Sequence, residues 1–398
     1  MEEITKKQKL FNWMKKNKND LIIYFGFLGI LMLLIILAVV PQYGKLLNPN
    51  KDGFTSAYNP IAINIFGGIA WYAIFILAGI IMAAIMAFME FKRMGWDTED
   101  LLDGLLIIVP LSIVGARIYY VLFAPNTSFS EIFNIRDGGL AIHGAIIVAA
   151  ISVYIFAKKK KLSLFVLVDM LAIGFLMGQI TGRWGNFMNA EAHGPAVNSG
   201  FLNAILPNFI KFQMQFGDSG STGSIGTIFQ PTFLYESLWN LIGLSVLFVV
   251  RRKRILKTGD ILGIYLIWYG VGRGYIETLR LDQLLLGAIP FNVLMSLIFI
   301  GLGVVYLILK RVYIKEEPYY ADLAVHEGKF FNDPNAYKRD KSEKQRKKRY
   351  TEPVIEEVSD EEIIAELNRL NMGNDEELDN LDDLISEDND NDDQSDFI

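Results

Sequence analysis

Long apolar runs separated by short polar segments recur eight times along the chain, near 21–40, 63–89, 101–123, 139–157, 162–181, 232–250, 260–279 and 288–309. A helix rising 1.5 Å per residue needs roughly 20 residues to cross about 30 Å of hydrocarbon, and each run approaches or exceeds that length. The pattern predicts an all-α polytopic membrane protein of about eight transmembrane helices. Starting inside, the segments 1–20, 90–100, 158–161 and 251–257 carry 17 Lys and Arg, against 6 in the opposite segments 41–62, 124–138, 182–231 and 280–287. The positive-inside rule then puts both termini in the cytoplasm. The first run follows a lysine-rich head but is too long for a cleavable signal and lacks a small-residue exit, so it reads as a retained anchor.

Composition adds two points. Mean hydropathy is +0.29 over 398 residues, with 52% of them hydrophobic, which fits membrane spans better than one soluble core. The net charge of −6 hides an asymmetry: residues 351–398 hold 19 acidic side chains and one base, Arg369, leaving the preceding chain at about +12. This acidic stretch follows a basic one, so 313–398 is expected to be a largely disordered cytoplasmic tail. A short amphipathic stretch around Glu361 to Leu370 leaves room there for an unidentified binding protein. Cysteine is absent, which excludes disulfides, thiol nucleophiles and cysteine-bound metal centres. His143, His193 and His326 are the three histidines. His326-Glu327 lacks the second histidine of a zinc-protease helix, so no metal or other cofactor is expected, and nothing points to nucleic acid.

The external segment 182–231 is too long for a simple turn. With its Gly/Ser-rich centre, GDSGSTGSIGT, it is expected to form a small head with a mobile arm. Gly174, Gly178 and Gly182 recur every fourth residue and predict a smooth stripe for a neighbouring helix. Gly270, Gly272 and Gly274 lie within a span with no preceding strand and do not read as a dinucleotide loop. Asp103 and Asp169, near inner span ends, are expected to cap or pair. The lysines and arginines of those inner ends are expected to snorkel and set orientation.

Charged side chains inside a bilayer cost about 2.5–3.5 kcal/mol each on insertion scales, so those that persist face a cavity or one another. Followed through the alternating spans, Arg117, His143, Arg183, Tyr235, Glu236, Arg273 and Glu277 all fall at the outer ends. Tyr269, Arg273, Glu277 and Arg280 share one helical face. Arg273 and Glu277 alone would neutralise each other, but Arg117 and Arg183 in the same layer leave excess positive charge suited to a phosphate. Gly138 and Gly139, ahead of a helix whose N-terminus faces outward, offer backbone N–H groups to an anion. His143 is the one histidine within a span, and the ordinary pKa of an imidazole suits a general base.

The string Gly182-Arg183-Trp184-Gly185-Asn186-Phe187-Met188-Asn189-Ala190-Glu191-Ala192-His193-Gly194 closely resembles the signature of the prolipoprotein diacylglyceryl transferase family. Asp137-Gly138-Gly139 to His143-Gly144, Pro231-Thr232-Phe233-Leu234-Tyr235-Glu236, and Tyr269 through Arg273 and Glu277 to Arg280 are similar to further family segments in the same order. Trp71-Tyr72 and Gly115-Ala116-Arg117 with Tyr119 and Tyr120 resemble its earlier helices. The resemblance runs from about 60 to 310. Ala145 stands where the family usually has a second glycine, and Phe233 where it usually has glutamine.

The resemblance implies a seven-helix core at 59–312, including the external head, preceded by an added anchor region at 1–58. It implies transfer of the diacylglyceryl group of phosphatidylglycerol to the lipobox cysteine of a lipoprotein precursor, with release of glycerol phosphate. The site would face the outer leaflet of a bacterial plasma membrane. On that reading His143 is the base, Arg183 binds phosphate with Asn186 and Glu191 positioning it, and Arg273 is a second cation held by Glu277 and Tyr269. Tyr72, Arg117, Gly138, Gly139, Gly194, Tyr235, Glu236 and Arg280 complete the substrate-binding set. Three other classes fit less well. A transporter for an anionic solute predicts inverted repeats, a metal-dependent lipid enzyme needs an aspartate cluster, and a scaffold built on the acidic tail leaves the cationic layer unexplained.

Overall fold

The computed structural model describes residues 6–46, 58–65, 68–124, 139, 141–197, 200–215, 228–281, 285–286, 289–314 and 317–325. Two N-terminal helices, α1 (Lys6–Lys16) and α2 (Lys18–Leu46), lead to a short antiparallel pair, β1 (Ile61–Ile63) and β2 (Ile69–Ala70). Then come α3 (Trp71–Met94), α4 (Thr98–Phe123), α5 (Ile142–Lys160) and α6 (Leu164–Met188). The small helices α7 (Gly200–Ile205) and α8 (Asn208–Gln213) precede α9 (Thr232–Val250) and α10 (Asp260–Thr278). A second hairpin, β3 (Leu285–Leu286) and β4 (Ile289–Pro290), leads into α11 (Phe291–Tyr313), and a 3-10 helix spans Tyr320–Val325.

Among the described residues seven helices, α2 to α6, α9 and α11, are long and apolar enough to cross a membrane. The remaining expected span, the seventh in chain order, is α10, whose 19 residues include Asp260, Arg273 and Glu277. The fold is thus the expected all-α polytopic one, with several boundaries shifted, among them the following. The second span starts at Trp71, because the chain first turns back at Gly68, where φ is +95°, to pair Ile61 with Ala70. The fifth runs on to Met188 rather than ending at 181, which places Arg183 inside the helix. The eighth starts at Phe291, directly after Pro290.

Helix pairs approach where side chains vanish. A methyl at Gly115 or Gly144 would overlap the facing helix, so α4 and α5 cross backbone to backbone. The α6 stripe is used in part: a methyl at Gly79 of α3 would press on the Gly178 backbone and one at Gly174 on Ala83, whereas a methyl at Gly178 or Gly182 would meet nothing within 4 Å. Around these crossings lies a core of Phe75, Met82 and Met86 from α3, Ile173, Leu176 and Ile180 from α6, and Phe233, Leu244 and Phe248 from α9. One face of α2, spaced three and four residues apart at Ile23, Phe27, Leu31, Ile35 and Ala38, joins that core. Its other face exposes Ile22, Phe25, Met32 and Leu33, as a lipid-facing surface does.

At the end of the bundle shared by the α2 start and the α9–α10 turn, the arginines do not snorkel. Arg251 is fully buried, and its guanidinium pairs with Asp20 at 2.9 Å and Glu90 at 3.4 Å. Arg252 pairs with the same two carboxylates. Burial opposes their charge, but Glu90 and Asp20 outweigh it and raise both pKa values above the ordinary arginine range. Fixed carboxylates from α2 and α3 supply at closer range what an interfacial headgroup would have offered, which is why the snorkelling expectation fails here. Asp103 pairs with Lys160 at 2.7 Å, and Asp169 accepts from the backbone N–H groups of Gly259 and Leu262 at 2.6 and 3.0 Å, capping α10 from α6. Residues 317–325 dock at this end: Tyr320 is buried and donates to Glu90 at 3.4 Å, and Asp322 pairs with Arg254 at 2.7 Å. Residues 326–398, with His326 and the acidic stretch, lie outside the described residues, as does the Gly/Ser-rich arm within 216–227.

Candidate active site

At the other end of the bundle, four charged side chains form one chain of contacts. Arg183, in the last turns of α6, donates through Nη2 to Glu236 Oε1 at 2.6 Å and through Nη1 to Asn186 Oδ1 at 3.1 Å, one helical turn on. Glu236, in the second turn of α9, offers its other oxygen to Arg273 Nη1 at 3.3 Å. Arg273 reaches along its own helix to Glu277 at 2.8 Å. Glu277 in turn accepts from Asn292 Nδ2, in the first turn of α11, at 2.8 Å. The two arginine side chains are 20% and 11% exposed and the two carboxylates 4% and 1%, so a partly accessible cationic edge rests on buried anions. Isolated buried charges are expensive, and sharing Glu236 between two guanidinium groups satisfies all three.

The arginines are therefore matched more closely than the sequence implies, since Glu236 and Glu277 both fold onto them. Asn186 also donates to Glu191 Oε1 at 2.7 Å, and Asn189 donates to the same oxygen at 3.3 Å, tying the turn after α6 to Arg183 through one relay. Gly194 is buried against the carbonyl of Leu279, and its N–H bonds Gln230 O at 2.9 Å. Thr232 Oγ1 donates to Ala192 O, so the 189–197 loop is strapped across the tops of α9 and α10. Tyr72 packs onto Gly185, where any side chain would overlap its ring. Tyr235 and Tyr269 are half-buried beside Glu236 and one turn from Arg273, and Arg280 follows α10 with its N–H on Glu277 O at 3.1 Å.

Arg117 and His143 occupy the neighbouring α4–α5 pair. Arg117 is buried, donates to Gly139 O at 3.0 Å and lies 5.6 Å from the Tyr120 ring. Gly139 has φ +73°, and any side chain there would strike Tyr120 and Arg117. Gly138 lies outside the described residues. His143 is exposed in the first turn of α5, 6.0 Å from the Tyr119 ring and 6.1 Å from Phe291. Among the described residues neither imidazole nitrogen has a hydrogen-bond partner. The two groups approach each other at the start of α11, where Phe291 faces His143 and Asn292 holds Glu277.

Comparison with known proteins matches residues 60–309 to a family described as prolipoprotein diacylglyceryl transferase. The chain belongs to that family. A phosphatidylglycerol–prolipoprotein diacylglyceryl transferase of Clostridium novyi is 42% identical over 260 residues, covering 64% of this chain and 96% of that protein. Proteins of the same description from Listeria innocua and Streptococcus pneumoniae are 39% and 41% identical over 269 and 267 residues, each covering 66% of this chain and 94% and 97% of theirs. Every charged residue of the network lies inside the family match, whereas α2 and residues 317–325 lie outside it. Sequence reasoning missed Asn292 among the site residues. A polar side chain in the first turn of an otherwise apolar helix, right after Pro290, was the available signal.

Proposed function

We propose that this transferase moves the diacylglyceryl group of phosphatidylglycerol to the lipobox cysteine of a lipoprotein precursor, forming a thioether and releasing glycerol phosphate. The observation that carries the reading is Glu236, one buried carboxylate that holds Arg183 and Arg273 at a single place. In the reaction a C–S bond forms at the terminal glycerol carbon of the diacylglyceryl group, and the C–O bond to phosphate breaks with its electron pair on oxygen. Negative charge gathers on the departing phosphate, and two oriented guanidinium edges stabilise it more in the transition state than in the bound lipid. The thiol must lose its proton to become a competent nucleophile. His143 takes that proton: its ring is exposed, with both nitrogens unengaged among the described residues. The proton leaves on the released phosphate monoester or in solvent.

Asn186 and Glu191 hold the Arg183 fork, and Tyr269, Glu277 and Asn292 hold Arg273. Tyr72, Arg117, Gly138, Gly139, Gly194, Tyr235 and Arg280 complete the walls for headgroup and peptide. The excess of Lys and Arg in the opposite segments supports a site beneath the outer leaflet of the bacterial plasma membrane, with both termini cytoplasmic. The test combines purified protein with radiolabelled phosphatidylglycerol and a lipobox peptide. Thioether-linked label on the cysteine peptide, none on its Cys→Ser version and none with Arg183→Ala is expected. Absence of product with the native protein, or full turnover by Arg183→Ala, overturns the assignment.

A further inference from the structure

Below the Glu236–Arg273 contact, α9 and α10 are joined by a reciprocal tryptophan lock. Trp239 and Trp268 stack with centroids 4.2 Å apart and planes 18° from parallel. The indole N–H of Trp239 donates to the Trp268 carbonyl at 3.0 Å, and that of Trp268 donates to the Trp239 carbonyl at 3.2 Å. Each indole lies over a glycine of the opposite helix: Trp239 over Gly272, and Trp268 over Gly243. A methyl at either glycine would overlap the ring. The same unit, a tryptophan followed four residues later by glycine, thus occurs on both helices and closes on itself.

The lock is placed to control the site. Gly272 immediately precedes Arg273, and Trp239 lies one turn below Glu236 on α9. The two rings and two N–H bonds leave no freedom for α9 to slide or rotate against α10, so the 3.3 Å contact between Glu236 and Arg273 is set by the stack beneath it. On the opposite side of α10, Gly270 rests on the Ser296 carbonyl of α11, the helix that brings Asn292 to Glu277. We propose that Trp239 and Trp268, with Gly243 and Gly272, are positioning residues for the transfer reaction. They hold Glu236 in register with Arg273 so that the Arg183 and Arg273 edges converge on the leaving phosphate. This inference rests on the phosphate role assigned to those arginines above.

The test uses full-length protein, phosphatidylglycerol and lipobox peptide, with kcat and the peptide KM measured for Gly272→Ala, Trp268→Phe and Trp239→Phe. Displacements of about 1 Å cost on the order of 100-fold in a positioned reaction. Gly272→Ala is therefore expected to lower kcat about 10- to 100-fold at unchanged peptide KM, and each Trp→Phe, which removes one N–H bond, by about 3- to 10-fold. Binding of glycerol phosphate, read by titration calorimetry, weakens in parallel. In a Glu236→Gln background Gly272→Ala is expected to cost less than about threefold more, in kcat or in glycerol phosphate binding, because both changes disable the same contact. Losses that multiply, or a lowered melting temperature with native kcat, overturn the proposal. Should Gly272→Ala fail to accumulate, the two Trp→Phe variants decide by the same criteria. Impaired Glu236→Gln beside native Gly272→Ala sinks only the positioning role; native turnover by Glu236→Gln sinks the phosphate reading beneath it.

Discussion

Replacing Glu236 by glutamine keeps the shape of the side chain and removes its charge, so it isolates the electrostatic part of the site. The native carboxylate accepts from Arg183 at 2.6 Å and from Arg273 at 3.3 Å, and is 4% exposed. Glutamine has one acceptor oxygen and an NH2 group that only donates. The shorter contact should keep the oxygen facing Arg183, which turns the NH2 toward the Arg273 guanidinium, donor against donor. A charge-assisted bond contributes about 1.5–3 kcal/mol, and the Arg183 contact is weakened while the Arg273 contact is lost. Glu277 still holds Arg273 at 2.8 Å and Asn186 still holds Arg183 at 3.1 Å, which limits the damage. About 3 kcal/mol in the barrier is expected, or roughly 100-fold in kcat/KM. The assay is product formation on the lipobox peptide under subsaturating phosphatidylglycerol, with melting temperature in detergent as the control for folding. Turnover within threefold of native, in a protein that melts normally, would refute the view that Glu236 organises the two arginines.

Three further outcomes follow from other parts of the molecule. His143→Gln should accumulate normally and lose at least about 100-fold in turnover, within the range of general base catalysis. Turnover within threefold of native, in a protein that melts normally, would remove the histidine from proton transfer. Asp20→Asn strips a carboxylate from two buried guanidinium groups and should destabilise the fold by about 3–5 kcal/mol, lowering the melting temperature measurably. Native melting would show that Glu90 alone satisfies Arg251 and Arg252. Truncation after Val325 should preserve both turnover and melting temperature, whereas truncation after Tyr313 removes Tyr320, Asp322 and Glu317, the last an acceptor for Thr258 at 2.5 Å, and should lower melting. Equal behaviour of the two truncations would show that the 3-10 helix adds nothing.

What could be read from the residues alone was whatever depends on hydropathy, direction and local spacing. Unbroken apolar runs specify spans because a bilayer leaves a backbone few alternatives to helix, and alternating direction then places Arg183, Glu236, Arg273 and His143 at one end. The i,i+4 relation of Arg273 to Glu277 follows from the helix itself. Partner choice across helices does not, because it depends on how each helix is rotated and how closely it packs. Nothing in the order of residues says that Glu236 is shared by two arginines, that Asn292 supports Glu277, or that Trp239 seats over Gly272. Nor does it say that Arg251 is sealed between Asp20 and Glu90 instead of reaching for the interface. Those pairings arise where small residues let backbones approach and where a buried charge must find its counter-charge on another helix. Such contacts join positions up to 232 residues apart, and only the assembled bundle brings them within a hydrogen bond's length.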